Sequence, residues 1–254
     1  MYMPNIHYSV AAPVQHYSTP NLGLASVQSL YQSSSISSPQ SIYTPMNTLT
    51  QEFQSLKQTA APIFSPAAFT TKPTRLIGKA HNIEHFITEA FEKTVNHRLQ
   101  SNIEITICTK EELKLAHERF NGVWSEGIQG FCINKFQKGI TSIFVKEDEL
   151  ANIMLTIGHE LGHAQSPPLK DIIEEEAKAF AFSMAFMNTI REHNIADLKN
   201  AIVEQLPAKN GVHNVGFDIV ADKVRCGMNA FDVFKDLAYK SLNTRMTEGL
   251  YGLL

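Results

Sequence analysis

The sequence predicts an α+β domain, a small β-sheet followed by a helical C-terminal part, behind a disordered N-terminal tail. Three observations carry that expectation. Composition changes sharply near residue 75; apolar residues alternate with period two at 103–108 and again within 130–145; and beyond residue 150 they recur mostly at helical spacing through the rest of the 254-residue chain.

The tail comes first. Residues 1–75 hold eight of the eleven prolines, a single acidic residue (Glu52), and polar tracts such as SVQSLYQSSSISSPQS. So few charges and so little apolar periodicity cannot bury enough surface to offset the entropy of ordering the chain. The only element expected there is a short helix over 47–58.

Residues 76–254 then read as the folded domain, with the sheet and one central helix in 76–165 and a helical subdomain in 166–254. Ile83, Phe86, Ile87, Ala90, Phe91 and Val95 share a helical face. IEITIC (103–108) alternates like a half-buried strand, KEELKLAHERF returns to helix, and GFCIN (130–134) and GITSIFV (139–145) flank KFQK as a hairpin. The next helix begins at EDELANIM, with Glu147–Glu149 at its positive end, and SPP (166–168) stops it. Helices are expected over 171–193, 196–206, about 215–226 and 229–243, with Gly227 separating the last two.

Whole-chain properties narrow the function classes. A formal charge of −3 offers no basic face for nucleic acid. The longest nearly apolar run, AFAFSMAFM (179–187), is far too short for a membrane span, and no secretory signal is read at the N-terminus. Three cysteines (Cys108, Cys132, Cys226) form neither a CxxC pair nor a disulfide framework, so a reducing, cytoplasmic location is expected.

The chemistry sits in TIGHELGHAQSPP (156–168). Histidines at i and i+4 stand one above the other on a helix, so His159 and His163 can share one ion. Glu160, one residue along, can reach a metal-bound water without ligating the metal, and can take its proton as the water attacks a carbonyl. Leu150, Ile153, Met154, Ile157 and Leu161 make an apolar stripe that anchors the helix while the histidines face a cleft. Gly158 and Gly162 lack bulk and let a neighbouring element approach. A rival pattern, HNIEH, places His81 and His85 with Glu84 in the inverted order also used by zinc peptidases; its flanks do not resemble a catalytic helix.

A catalytic zinc takes three protein ligands and a water. The third is sought in DIIEEEAKAFAFSMAFM (171–187), whose apolar stripe is Ile173, Ala177, Phe180, Met184 and Met187. On a helical wheel Glu176 lies about 60° from the stripe's centre, Glu174 about 100°, and Glu175 nearly opposite. Glu176 is therefore the first choice, Glu174 the reserve, and Glu175 is expected in solvent.

HELGH followed on the next helix by EEEAKAFAF resembles the gluzincin class of zinc metallopeptidases, and more narrowly the compact domains of the ImmA/IrrE type and the archaeal minigluzincins. The resemblance spans roughly residues 80–190. It implies a zincin-like domain and a zinc-dependent peptidase, an endopeptidase in preference to an exopeptidase, acting on peptide or protein. Position by position it places Zn2+ on His159, His163 and Glu176 and the general base on Glu160. The residues after His163, AQSPPL, do not match a metzincin.

A hydrolytic site also needs a donor for the developing oxyanion. His213, just before a helix with the stripe Phe217, Val220 and Val224, is the first choice, with Tyr239 and Arg225 behind it. Trp124 reads as a core residue beside the hairpin. GITSIFV, directly before the metal helix, is the candidate edge strand for pairing with an extended substrate. Two function classes remain: a zinc peptidase, or a metal-binding regulatory or interaction module of the same fold with little turnover. The intact Glu160 favours the enzyme, because a structural site closes its coordination with a fourth protein ligand.

Overall fold

The computed structural model describes residues 64–136, 138–203 and 212–251, without the side chains of 212–214 and 241–251. The helix expected over 47–58 lies outside the described residues. In chain order these carry β1 (Leu76–Ile77), α1 (Glu84–Val95), β2 (Ile103–Cys108), α2 (Lys110–Arg119), β3 (Gly130–Ile133), β4 (Thr141–Lys146), β5 (Asp148–Glu149), α3 (Leu150–Ala164), α4 (Ile172–Glu192), α5 (Val212–Arg225) and α6 (Ala230–Tyr251). The architecture is α+β, as the sequence pattern predicts.

β4 lies in the middle of the main sheet, parallel to β2 and antiparallel to β3. Its alternation sorts the two faces: Thr141, Ile143 and Val145 are buried, while Ser142, Phe144 and Lys146 are half-buried. The inner face packs on α3. On the outer face Phe131 and Phe144 stack at 5.0 Å, and His117 meets Phe131 edge-on at 5.0 Å. α2 and the loop after it lead to the end of the sheet where β2 finishes, and β3 then runs back, so that β4 pairs with β2 in parallel; Thr109 and Glu112 close a capping box at the start of α2. GITSIFV is thus the central strand and not the edge expected of it. Among the described residues the free edges belong to β2 and β3. The hairpin was visible in the sequence, but the parallel partner on its other side was not.

α3 forms the centre of the domain. All its residues except Asn152 and His163 are buried. Against it lies α4, which is also packed by α1, α5 and α6. The α3–α4 crossing is tight because Gly162 has no side chain. A Cβ there would lie 2.7 Å from Cα of Ala179 and 2.9 Å from its carbonyl oxygen. Gly158 likewise admits the ring of Phe186. The absence of bulk read from the sequence is used as the sequence implied.

Two expectations are corrected here. Residues 64–75, assigned to the tail, belong to the packed unit. Phe64 and Phe69 are buried, the oxygen and amide of Phe69 and Thr71 bond the backbone of Val203 and Ala201, and the Thr74 hydroxyl accepts from the Ala151 amide in the first turn of α3. Two phenylalanines were too thin a signal against so many prolines and threonines. The helix expected over 196–206 does not form across 195–203. Asn194, Ala196 and Asp197 have positive φ, Ile195–Asp197 makes a single 3-10 turn, and Ile202 bridges Thr70. Leu198, Ala201 and Ile202 are buried all the same, so their apolar spacing reflects packing under the Phe69 segment. Residues 204–211 lie outside the described residues.

Two measurements check this packing. Gly→Ala inside an ordinary helix stabilises by about 1 kcal/mol, but Gly162→Ala should instead lower the unfolding free energy by about 1–3 kcal/mol, because rigid backbone cannot yield to the methyl. A urea midpoint at or above wild type would contradict the crossing. Limited proteolysis should leave a resistant fragment that still contains Phe64. A stable fragment starting at 70–80 would show that the segment is dispensable, although burial of two phenylalanines predicts a loss of about 3 kcal/mol or more on its removal.

Candidate metal centre

His159 and His163 lie one helical turn apart on α3, their rings 5.0 Å apart and nearly perpendicular. α4 delivers the third group. Asp171 caps its start by accepting from the amides of Ile173 and Glu174, which fixes the three following glutamates in the first turns. The three then diverge. Glu174 turns outward to Lys240 of α6. Glu175 reaches the Nδ1 side of His163, at 2.8 Å. Glu176 reaches both histidines, with Oε2 3.4 Å from Nε2 of His159 and Oε1 3.9 Å from Nε2 of His163.

One ligand atom from each of His159, His163 and Glu176 lies within 4.8 Å of the others, and among the described residues this is the one such group. A tetrahedral ion with bonds of about 2.0–2.1 Å needs donors roughly 3.3 Å apart. The donor set and its spacing are therefore compatible with a metal ion. His81 and His85 enter no such group, and the His85 ring instead lies against Phe86.

Glu175 is not in solvent, which corrects the helical-wheel expectation. Besides His163 it accepts from the Leu169 amide at 2.7 Å and pairs with Lys178 at 2.9 Å. A wheel with one apolar stripe assumes one buried face; α4 is enclosed on several, and from Ala177 to Met187 every residue is buried. Burial pushes the Glu175 carboxyl up, but the His163 hydrogen bond, the charges of His163 and Lys178 and the Leu169 amide hold it below the ordinary carboxylate value. Burial pushes the His163 imidazole down, yet the Glu175 hydrogen bond and the charges of Glu176, Glu160 and Glu175 raise it to about 9 in the absence of metal.

Glu160 is buried beside this group and is not part of it. It lies under β3. A Cβ on Gly130 would sit 3.5 Å from its Cγ and 2.8 Å from the Thr156 methyl, so only glycine lets the strand come this close. Cys132, two residues along, has its thiol pushed up by burial and then by the charge of Glu160. The ladder fixes what this edge offers. Lys146 donates to the Gln129 carbonyl, so Gln129, Phe131 and Ile133 bond toward β4. By the alternation of antiparallel pairs, the backbone groups of Gly130 and Cys132 face the open side.

The surroundings differ from the expected open cleft. His159 is 1% exposed. Phe64 stacks flat on its ring, with centroids 4.5 Å apart at an interplanar angle of 3°, and Phe180 meets it edge-on at 4.8 Å. Sequence reasoning missed Phe64, because it lies in the segment assigned to the tail. Of the oxyanion candidates, the His213 side chain lies outside the described residues. Its backbone stands one turn before Gly216, where α5 passes so close to α4 that a Cβ would be 3.0 Å from Cβ of Glu176. Arg225, nine residues beyond Gly216 and so about 13 Å further along the helix, pairs with Asp222 on the exposed surface. Tyr239 is 66% exposed on α6. Trp124 is half-buried and donates to Glu126.

Comparison with protein-family models, curated proteins and solved structures finds no match. The geometry of the site therefore stands alone. It separates the glutamates experimentally: Glu176→Ala should weaken metal binding by more than about 100-fold, whereas Glu174→Ala should leave it within twofold. Metal content after dialysis against a metal buffer reads both, and loss in the Glu174 variant alone would move the third ligand.

Proposed function

We propose that the protein is a zinc-dependent peptidase, with His159, His163 and Glu176 holding the ion and Glu160 acting as general base. The observation that supports this most is the separation of roles along one helix. Two histidines face a carboxylate from α4, while Glu160, between them in sequence, is buried nearby but outside the ligand group. Three protein ligands leave a position for water, as a catalytic site requires. Imidazole nitrogen and carboxylate oxygen suit zinc among divalent ions.

When bound, zinc would supply Lewis acidity to water and to the scissile carbonyl. The protein's part is positioning and proton transfer. An extended peptide pairs with the open edge of β3 through the backbone of Gly130 and Cys132, which brings its carbonyl over Glu160. Glu160 accepts the proton of the attacking water and passes it to the leaving amine. His213, entering with the first turn of α5, is assigned as the donor to the developing oxyanion. Burial of Glu160 raises the value of each of these electrostatic contacts.

The enclosure of His159 by Phe64 supports a second reading, a metal-binding regulatory or interaction module with little turnover. Glu160→Gln distinguishes the two. The amide keeps size and shape but accepts no proton, so the variant should keep its zinc while cleavage of a peptide library falls by at least about 10²-fold. Wild type that binds zinc but cleaves nothing, or a Glu160→Gln variant as active as wild type, would rule out the peptidase.

A further inference from the structure

Behind the metal ligands lies a buried charge that the hydrolytic reading does not use. Lys178 is fully buried on α4. Its ammonium lies 2.9 Å from Oε2 of Glu175, one turn earlier, and donates to the Pro167 carbonyl at 3.3 Å. Removing an ammonium from water costs on the order of several kcal/mol, and apolar side chains of similar volume often fill such places at no loss of stability. The pairing therefore calls for an explanation in terms of position.

Glu175 provides it. One carboxylate oxygen holds Nδ1 of His163; the other is held by Lys178 and the Leu169 amide. The imidazole is thereby turned with Nε2, its other nitrogen, toward Glu176. Glu175 is also adjacent in sequence to the ligand Glu176, and a carboxylate so close to a dication is a competing ligand. With its second oxygen fastened to Lys178 and to the 166–169 loop, it stays on the far side of the ring, outside the ligand group.

We propose that Lys178 and Glu175 form a positioning pair that presents Nε2 of His163 to the metal and keeps the Glu175 carboxylate out of the coordination sphere, preserving an open position. This rests on the metal-site reading above and concerns how the site is kept three-ligand.

Cobalt(II) tests it, because its visible spectrum reports coordination number without any turnover. Cobalt affinity and spectrum are measured for wild type, Lys178→Met, Lys178→Arg and the near-isosteric Glu175→Gln. Lys178→Met should weaken binding by about 10–100-fold and shift the spectrum toward higher coordination. Lys178→Arg, which keeps the charge and donors, should restore both. Glu175→Gln keeps an acceptor for Nδ1 but loses the pair with Lys178; it should weaken binding in the same range without the spectral shift, and it carries the test if Lys178→Met does not fold. Affinities and spectra equal to wild type in Lys178→Met and Glu175→Gln would overturn the positioning pair while leaving the metal centre. Wild type that binds neither cobalt nor zinc would overturn the metal centre itself.

Discussion

The backbone contact between α3 and α4 sets everything else in this domain. Packed helices ordinarily lie 8–10 Å apart, at a distance set by the side chains between them. Here Gly162 meets the main chain of Ala179 directly, and the same crossing places Glu176 within a few ångströms of two histidines on the facing helix. A short carboxylate and two imidazoles cannot share a small ion across a wider gap. Gly216 repeats the device on the other side of α4, letting α5 close on the backbone at Glu176. The small residues thus set the spacing of the His159, His163 and Glu176 group.

A helix held only at its middle would still slide or rotate. α3 is fixed at both ends by groups from elsewhere in the chain. Thr74 and the Arg75 carbonyl take its first amides, and Asn134, at the end of β3, donates to the carbonyls of His163 and Ser166. The second of these contacts joins the exposed edge of the sheet to the turn that carries His163. The edge strand β3 is thereby tied to the turn of α3 that carries His163.

The parts of this arrangement visible in the sequence were those with a local signature. HELGH declares its histidines at i and i+4, the strands alternate, and SPP and Gly227 break helices where expected. The wheel also ranks Glu176 ahead of Glu174, because that choice depends only on which way α4 turns its apolar stripe. What escaped depends on contacts far apart in the chain. Glu175 looks solvated until α4 is seen enclosed on several sides. Phe64 looks like tail until it is found on the His159 ring. Residues 196–206 carry a helical spacing, yet the amides and carbonyls there bond the Phe69–Thr71 segment, which local periodicity cannot report. β4 looks like an edge because a hairpin shows only one of its partners.

The electrostatics of the centre return to the same geometry. Glu160, Glu175 and Glu176 gather around His163, and Lys178 pairs with Glu175 among them. With the carboxyls ionised, three negative charges against one positive leave two, inside a core of phenylalanine, leucine and isoleucine where uncompensated charge is expensive. Without metal, His163 offsets one of them by holding a proton up to about pH 9. A divalent cation at this group would offset both at once and displace that proton. The place where such a cation would fit is the group of two histidines and Glu176 that the α3–α4 crossing brings together.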